Sequence, residues 1–151
     1  MDMDKEFFVK LYDISLNHKV QFNPDSDMNE IKTYIEAIGQ GNGYYPDKVL
    51  SMIEKIDKII PRVYYNAGNP NNGNRLWEID IGREYSPVIY ITIKTRSLGK
   101  DLIDPQTIPA IINDCKSAAE RAKADEIGYE IDNAENDHYG YREINLRFWW
   151  D

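Results

Sequence analysis

The sequence predicts an α+β fold: an antiparallel sheet of four to five strands with helices packed mainly on one face. Residues 75–96, RLWEIDIGREYSPVIYITIKTR, read as two strands in which apolar and polar side chains alternate. Helix-period segments stand before this hairpin and after it. The chain then ends on a second alternating pair, residues 127–132 and 141–150. No internal repeat or linker divides residues 1–151, so one domain is expected.

Residues 2–17 read as the first helix. Phe7, Leu11 and Ile14 recur at helical spacing, acids stand at the start, and His18-Lys19 follow the end, as the helix dipole favours. His18 is therefore expected as an exposed helix-end residue. Residues 20–26, containing Pro24, read as a connector. Asp27, with Glu30 at capping-box spacing, opens a short helix whose stripe is Ile31, Tyr34, Ile35 and Ile38 and whose stop is Gly39. Residues 39–45, GQGNGYY, lack the Gly-Lys-Ser/Thr of a phosphate loop and read as a helix–helix turn. Pro46 suits the first turn of the next helix, with Val49, Met52, Ile53, Ile56, Ile59 and Ile60 as its apolar side and Pro61 as its end.

Residues 62–65 can form a short strand. Residues 66–74, NAGNPNNGN, are almost purely turn formers. In the central hairpin, Trp77, Ile79 and Ile81 share one face with Ile89, Ile91 and Ile93, and residues 82–87 (GREYSP) supply the turn. Residues 97–101 read as a loop. Asp104 and Pro105 then open the longest helix, with a buried stripe of Ile108, Ile111, Ile112, Cys115, Ala118, Ala119 and Ala122. Cys115 lies in that stripe and is expected to be buried and inert. In the last strand Ile144, Leu146, Phe148 and Trp150 share one face, and Glu143, Asn145, Arg147 and Trp149 the other. The adjacent tryptophans must point to opposite sides of the sheet.

Composition narrows the function classes. The chain has 151 residues, 42% of them hydrophobic, and a formal charge of −8. That charge argues against a direct grip on nucleic-acid phosphates and favours attraction to a basic protein surface, including one that itself binds nucleic acid. The absence of a spanning apolar run, of a secretion-signal layout and of any cysteine besides Cys115 points to a reducing, cytoplasmic setting away from membranes. Richness in Asn, Ile, Lys and Tyr suits an AT-rich coding genome, bacterial or phage.

Three constellations could carry function. The acidic stretch Asp125, Glu126, Glu130, Asp132, Glu135 and Asp137 holds no Lys or Arg. It fails as a Ca²⁺ loop, because the required glycine is missing, but it suits a basic partner, with Trp149 as an aromatic anchor. A solvated hairpin edge protected by charge is the plainer account. The amide-rich loop, with Asn66, Asn69, Asn71, Asn72 and Asn74 beside Arg75 and Tyr90, could hold a small polar metabolite or a nucleotide. On the polar face of the hairpin, Glu78, Asp80 and Lys94 resemble the acid, acid-x-Lys arrangement of metal-dependent nucleases, although Thr92 stands where the second-strand carboxylate belongs. His138 beside Asp137 carries no local nucleophile signature. The favoured expectation is a small acidic binding protein, not an enzyme and without a cofactor, of inhibitor, immunity or anti-defence type. It would block a basic partner by steric and electrostatic docking.

Overall fold

The computed structural model describes residues 5–41, 43–63, 73–132 and 140–151. In chain order the elements are α1 (Lys5–Asp13), β1 (Asn17–Phe22), α2 (Pro24–Ile38), α3 (Pro46–Ile59), β2 (Arg62–Val63), β3 (Asn74–Arg75), β4 (Trp77–Glu84), β5 (Ser86–Ser97), β6 (Lys100–Asp101), a 3₁₀ turn (Pro105–Thr107), α4 (Ile108–Arg121), β7 (Glu126–Asp132) and β8 (Arg142–Trp149). The main sheet is antiparallel in the order β1-β4-β5-β8-β7, with the short β6 added to β5, while β2 and β3 form a separate ribbon. The α+β class is as expected.

The hairpin β4–β5 forms the middle of the sheet. Trp77 faces Ile93, Ile79 faces Ile91 and Ile81 faces Ile89, so the alternating apolar residues meet on one side. β8 continues the row with Ile144, Leu146 and Phe148. Helices cover this side. Phe8 of α1, Ile31, Tyr34 and Ile35 of α2, Met52 and Ile56 of α3, and Ile112 and Cys115 of α4 join one continuous buried cluster with it. α2 reaches β1 and β4, and α4 reaches β7. The two tryptophans part as expected. Trp150 is buried with its indole N–H on the Ala122 carbonyl, while Trp149 is half-buried on the other side.

The N-terminal third departs from expectation. α1 ends at Asp13, and its buried residue is Phe8; Phe7 and Ile14 are exposed. His18 does not end a helix. It lies on β1, half-buried, with Nε2 2.9 Å from the Tyr34 hydroxyl and Nδ1 3.0 Å from the Ser15 carbonyl. The expected connector 20–26 is instead the end of β1 and the start of α2. Phe22 enters the core there, and tertiary burial outweighs a weak local pattern. Pro24 sits at the first turn of α2, where its missing N–H costs nothing, and Asn23 is its cap; Asp27, the expected helix start, is a non-helical residue (φ −118°, ψ 22°) at a kink inside α2. The Asn23 side chain accepts from the Asp25 N–H, and Asp27 accepts from the Asn23 N–H, each at 2.9 Å.

The hairpin turn is also tighter than expected. β4 runs on to Glu84, and the chain reverses at Tyr85, which takes a φ of 62°. Gly82 is a strand residue. A Cβ there would lie 2.0 Å from the His18 carbonyl oxygen, so this glycine exists for the close approach of β1. Arg62–Val63 do form a strand, paired with Asn74–Arg75 in the ribbon rather than within the main sheet. Residues 100–101 pair back on β5, where a plain loop was expected.

Candidate functional site: the open face of the sheet

Because side chains on a strand alternate, the residues between the core positions all emerge on the side away from the helices. Successive rows across the strands read Lys19, Gly82, Val88, Trp149, Glu126; then Gln21, Asp80, Tyr90, Arg147, Gly128; then Glu78, Thr92, Asn145, Glu130; then Lys94, Glu143, Asp132. Apart from Gly82 and Val88, these residues are exposed or half-buried. With Glu84 at its margin the face carries Glu78, Asp80, Glu84, Glu126, Glu130, Asp132 and Glu143 against Lys19, Lys94 and Arg147. It is therefore acidic.

The centre of the face is a hydrogen-bonded cluster. Glu84 Oε1 accepts from the Tyr90 hydroxyl at 2.7 Å and from Arg147 Nε at 3.2 Å, and Arg147 Nη1 donates to Glu126 Oε2 at 2.9 Å. The Trp149 indole N–H donates to the Glu84 carbonyl at 2.9 Å, and the Arg147 guanidinium lies 5.9 Å from the Trp149 ring centroid. Lys19 Nζ lies 4.8 Å from the centre of the Tyr90 ring. Burial alone would raise the Glu84 carboxyl, but the bonds from Tyr90 and Arg147 hold it below its ordinary value. Burial and the Glu84 hydrogen bond raise Tyr90. Asp80 is raised by its own burial and by neighbouring Glu78, with Lys19 opposing.

The candidate residues distribute as follows. Glu126, Glu130 and Asp132 emerge on the open face along β7, and Trp149 lies on the same face. Asp125 precedes the strand, and its side chain accepts from the Asp151 N–H at 2.8 Å. Glu135 and Asp137 lie outside the described residues, as do Asn66, Asn69, Asn71, Asn72 and His138. Glu78 and Asp80 share the open face with Lys94. Glu78 takes the Gln21 amide at 2.7 Å, and Lys94 stands opposite Glu143 with its ammonium 5.6 Å from the Tyr141 ring. Among the described residues, no group of three or more His, Cys, Asp or Glu side chains could hold a metal ion.

Arg75 and Tyr90 do not meet. Tyr90 belongs to the centre of the open face, whereas Arg75 is bound by two acids. It donates to Asp57 at 2.7 Å through Nε and to Asp25 at 3.1 Å through Nη1. Arg62 joins Asp57 at 3.1 Å, so these ion pairs brace the β2–β3 ribbon. A cleft of about 360 Å³ opens beside that ribbon at the end of the open face, with Asn74, Arg75, Glu78, Thr92, Lys94 and Glu143 among its walls. Tyr90 is not one of them.

Sequence reasoning missed the Glu84–Tyr90–Arg147–Trp149 centre. Glu84 falls within the turn that the local pattern predicts, and Arg147 is aligned with it only through the register of two separate hairpins. The period-two pattern of β8 was the available signal, since it placed Arg147 and Trp149 on one side. No family model, curated protein or solved structure matches this chain.

Proposed function

We propose that this chain is a non-enzymatic binding protein of inhibitor or immunity type, and that it covers a basic surface of another protein with the open face of its sheet. The observation that carries the reading is this acidic face, away from the helices, with a hydrogen-bonded Glu84–Tyr90–Arg147–Trp149 centre. Fixed aromatic and Arg side chains at the middle of a patch, ringed by solvated charge, suit a docking surface. The excess of acid would speed encounter with a basic partner and set its orientation. Among the described residues no helix is long and apolar enough to cross a membrane, and the free thiol of Cys115 is buried. Both suit a protein acting in a reducing cytoplasm.

The test starts from capture of a partner from host extract on the immobilised protein, followed by binding measurements with the purified partner across a salt series. Glu78→Lys with Glu143→Lys, and separately Trp149→Ala, are expected to weaken binding at least tenfold. Glu54→Lys on the outer side of α3 serves as the control. Equal loss in the control, or no loss in the face variants, would remove the open face from the function.

A second reading is favoured by the cleft beside the ribbon, which brings Asn74 together with Lys94 and Thr92. It suits a small polar ligand such as a nucleotide. Lys94→Ala would then abolish a nucleotide-induced rise in melting temperature, and a flat response in the wild type would dismiss the idea.

A further inference from the structure

β7 ends the sheet. It pairs with β8 on one side, and no described strand lies on the other. Among the described residues, 126–131 make no backbone hydrogen bond apart from that ladder. Its two faces differ in chemistry. Glu126, Glu130 and Asp132 stand on the open face. On the helix side Ile127 is half-buried, while Tyr129 and Ile131 remain 50% and 45% exposed. α4 reaches this edge but leaves those two side chains in water, with the Lys116 ammonium 5.6 Å from the Tyr129 ring. At Gly128 no atom lies within 4 Å of where a Cβ would be, so there is space on the open face between Glu126 and Glu130. On the opposite edge strand, β1, the helix-side residues are covered: Phe22 is buried and Val20 half-buried.

An edge with an unused ladder and exposed apolar side chains is a template for another strand. The charges decide which strand. If two copies paired antiparallel along β7 in full overlap, Glu126 would face the partner's Asp132 and the other acids would lie close by, an arrangement that like-charge repulsion disfavours. A basic strand meets no such penalty. Resting on the docking reading above, we propose that β7 takes an extended segment of the basic partner as an additional strand. Lys or Arg at alternate positions of that segment lie over Glu130 and beside the Glu126–Arg147 pair, and apolar residues between them cover Tyr129 and Ile131. The added ladder supplies affinity, and the alternation supplies selectivity.

The probe is a fluorescein-labelled heptapeptide alternating lysine and valine, capped at both ends, read by anisotropy at low and high salt and by amide hydrogen exchange. Strand addition predicts salt-sensitive binding, slowed exchange across residues 126–132, about tenfold weaker binding to Glu130→Lys, and no binding of the same peptide N-methylated throughout. The Glu130 side chain is exposed and has no hydrogen bond or ion pair among the described residues, so its reversal leaves the fold intact. Equal binding of the N-methylated peptide, or protection confined to β4, β5 and β8, would overturn strand addition while leaving docking by the acidic face in place. No binding to the wild type overturns it as well. So does a dimer in sedimentation whose protected edge is β7, since a second copy would then occupy the edge. Failure of the docking reading itself is read separately, from Glu78→Lys with Glu143→Lys against the captured partner.

Discussion

Asp57 of α3 accepts the indole N–H of Trp77 at 3.0 Å through the same oxygen that takes Arg75 Nε at 2.7 Å. One carboxylate thus ties a helix to the first residue of β4 and to the ribbon beside it. Burial pushes this carboxyl up, but the bonds from Arg75 and Trp77 and the charges of Arg75 and Arg62 outweigh that and hold it below its ordinary 3.8. A depressed carboxylate contributes stability above its unfolded value and loses it as pH falls through the folded one. Denaturant titrations should therefore show a loss beginning near the ordinary 3.8 and continuing below it, and Asp57→Asn should flatten that limb. Asp57→Ala leaves Arg62 and the Trp77 indole donor without this acceptor and Arg75 with Asp25 and the Pro24 carbonyl alone, and should cost about 1–3 kcal/mol at neutral pH.

Gly82→Ala should destabilise the protein by about 1–3 kcal/mol, the range for forcing a methyl into filled space. The obstacle is backbone, the His18 carbonyl and the Lys19 Cα, so no side chain can turn aside. β1 must move, and faster amide exchange confined to residues 17–22 is the expected signature. Uniform exchange change across the sheet would assign the loss elsewhere.

These two cases mark what was legible in the sequence. The Ile rows of β4 and β5 were readable because period-two burial is written locally, and the stripe of α4 because period 3.6 is too. β1 was not, since NHKVQF owes its strand state to β4 and to the burial of Phe22 rather than to its own propensity. Gly82 reads as a turn residue because a glycine needed for a neighbouring backbone looks the same in sequence as one needed for a turn. The acidic members of the open face were visible as single residues. Their assembly with Arg147 and Tyr90 depends on strand order and register, which no local pattern encodes.

Tyr90 and Arg147 share Glu84, so their contributions should not add. Tyr90→Phe removes the 2.7 Å hydrogen bond to Glu84 and should cost about 0.5–1.5 kcal/mol. Combined with Glu84→Ala, the double variant should lose less than the sum of the singles, because each removes the Tyr90–Glu84 bond. Strict additivity in urea titrations would show that the three groups do not act as a unit.

Cys115 is buried in α4, and burial, with Asp114 nearby, pushes its thiol up to about 12. Alkylation needs the thiolate. Iodoacetamide at mildly alkaline pH should leave the folded protein unlabelled and modify it only as denaturant opens the core. Modification that keeps pace in the absence of denaturant would contradict the burial of this stripe. Cys115→Ser should cost about 1–3 kcal/mol, since it puts a hydroxyl into the apolar core where only a carbonyl of its own helix can accept its proton.

Asp80 links stability to docking. Its carboxyl is raised by burial and by Glu78, so the folded state binds its proton more tightly than the unfolded chain does. The sign is opposite to that of Asp57: the favourable contribution is present below the unfolded value and is lost as pH rises through the folded one. At neutral pH the ionised group is thus under strain in the isolated protein. Asp80→Asn should raise the denaturation midpoint at pH 7 and leave it unchanged near pH 3. If the open face meets a basic partner, a Lys or Arg brought to this spot relieves the same strain, and the gain appears as affinity. The same substitution should therefore stabilise the free protein and weaken the complex. A stabilised variant that binds with undiminished affinity would separate the raised carboxyl from docking and leave it a feature of folding alone.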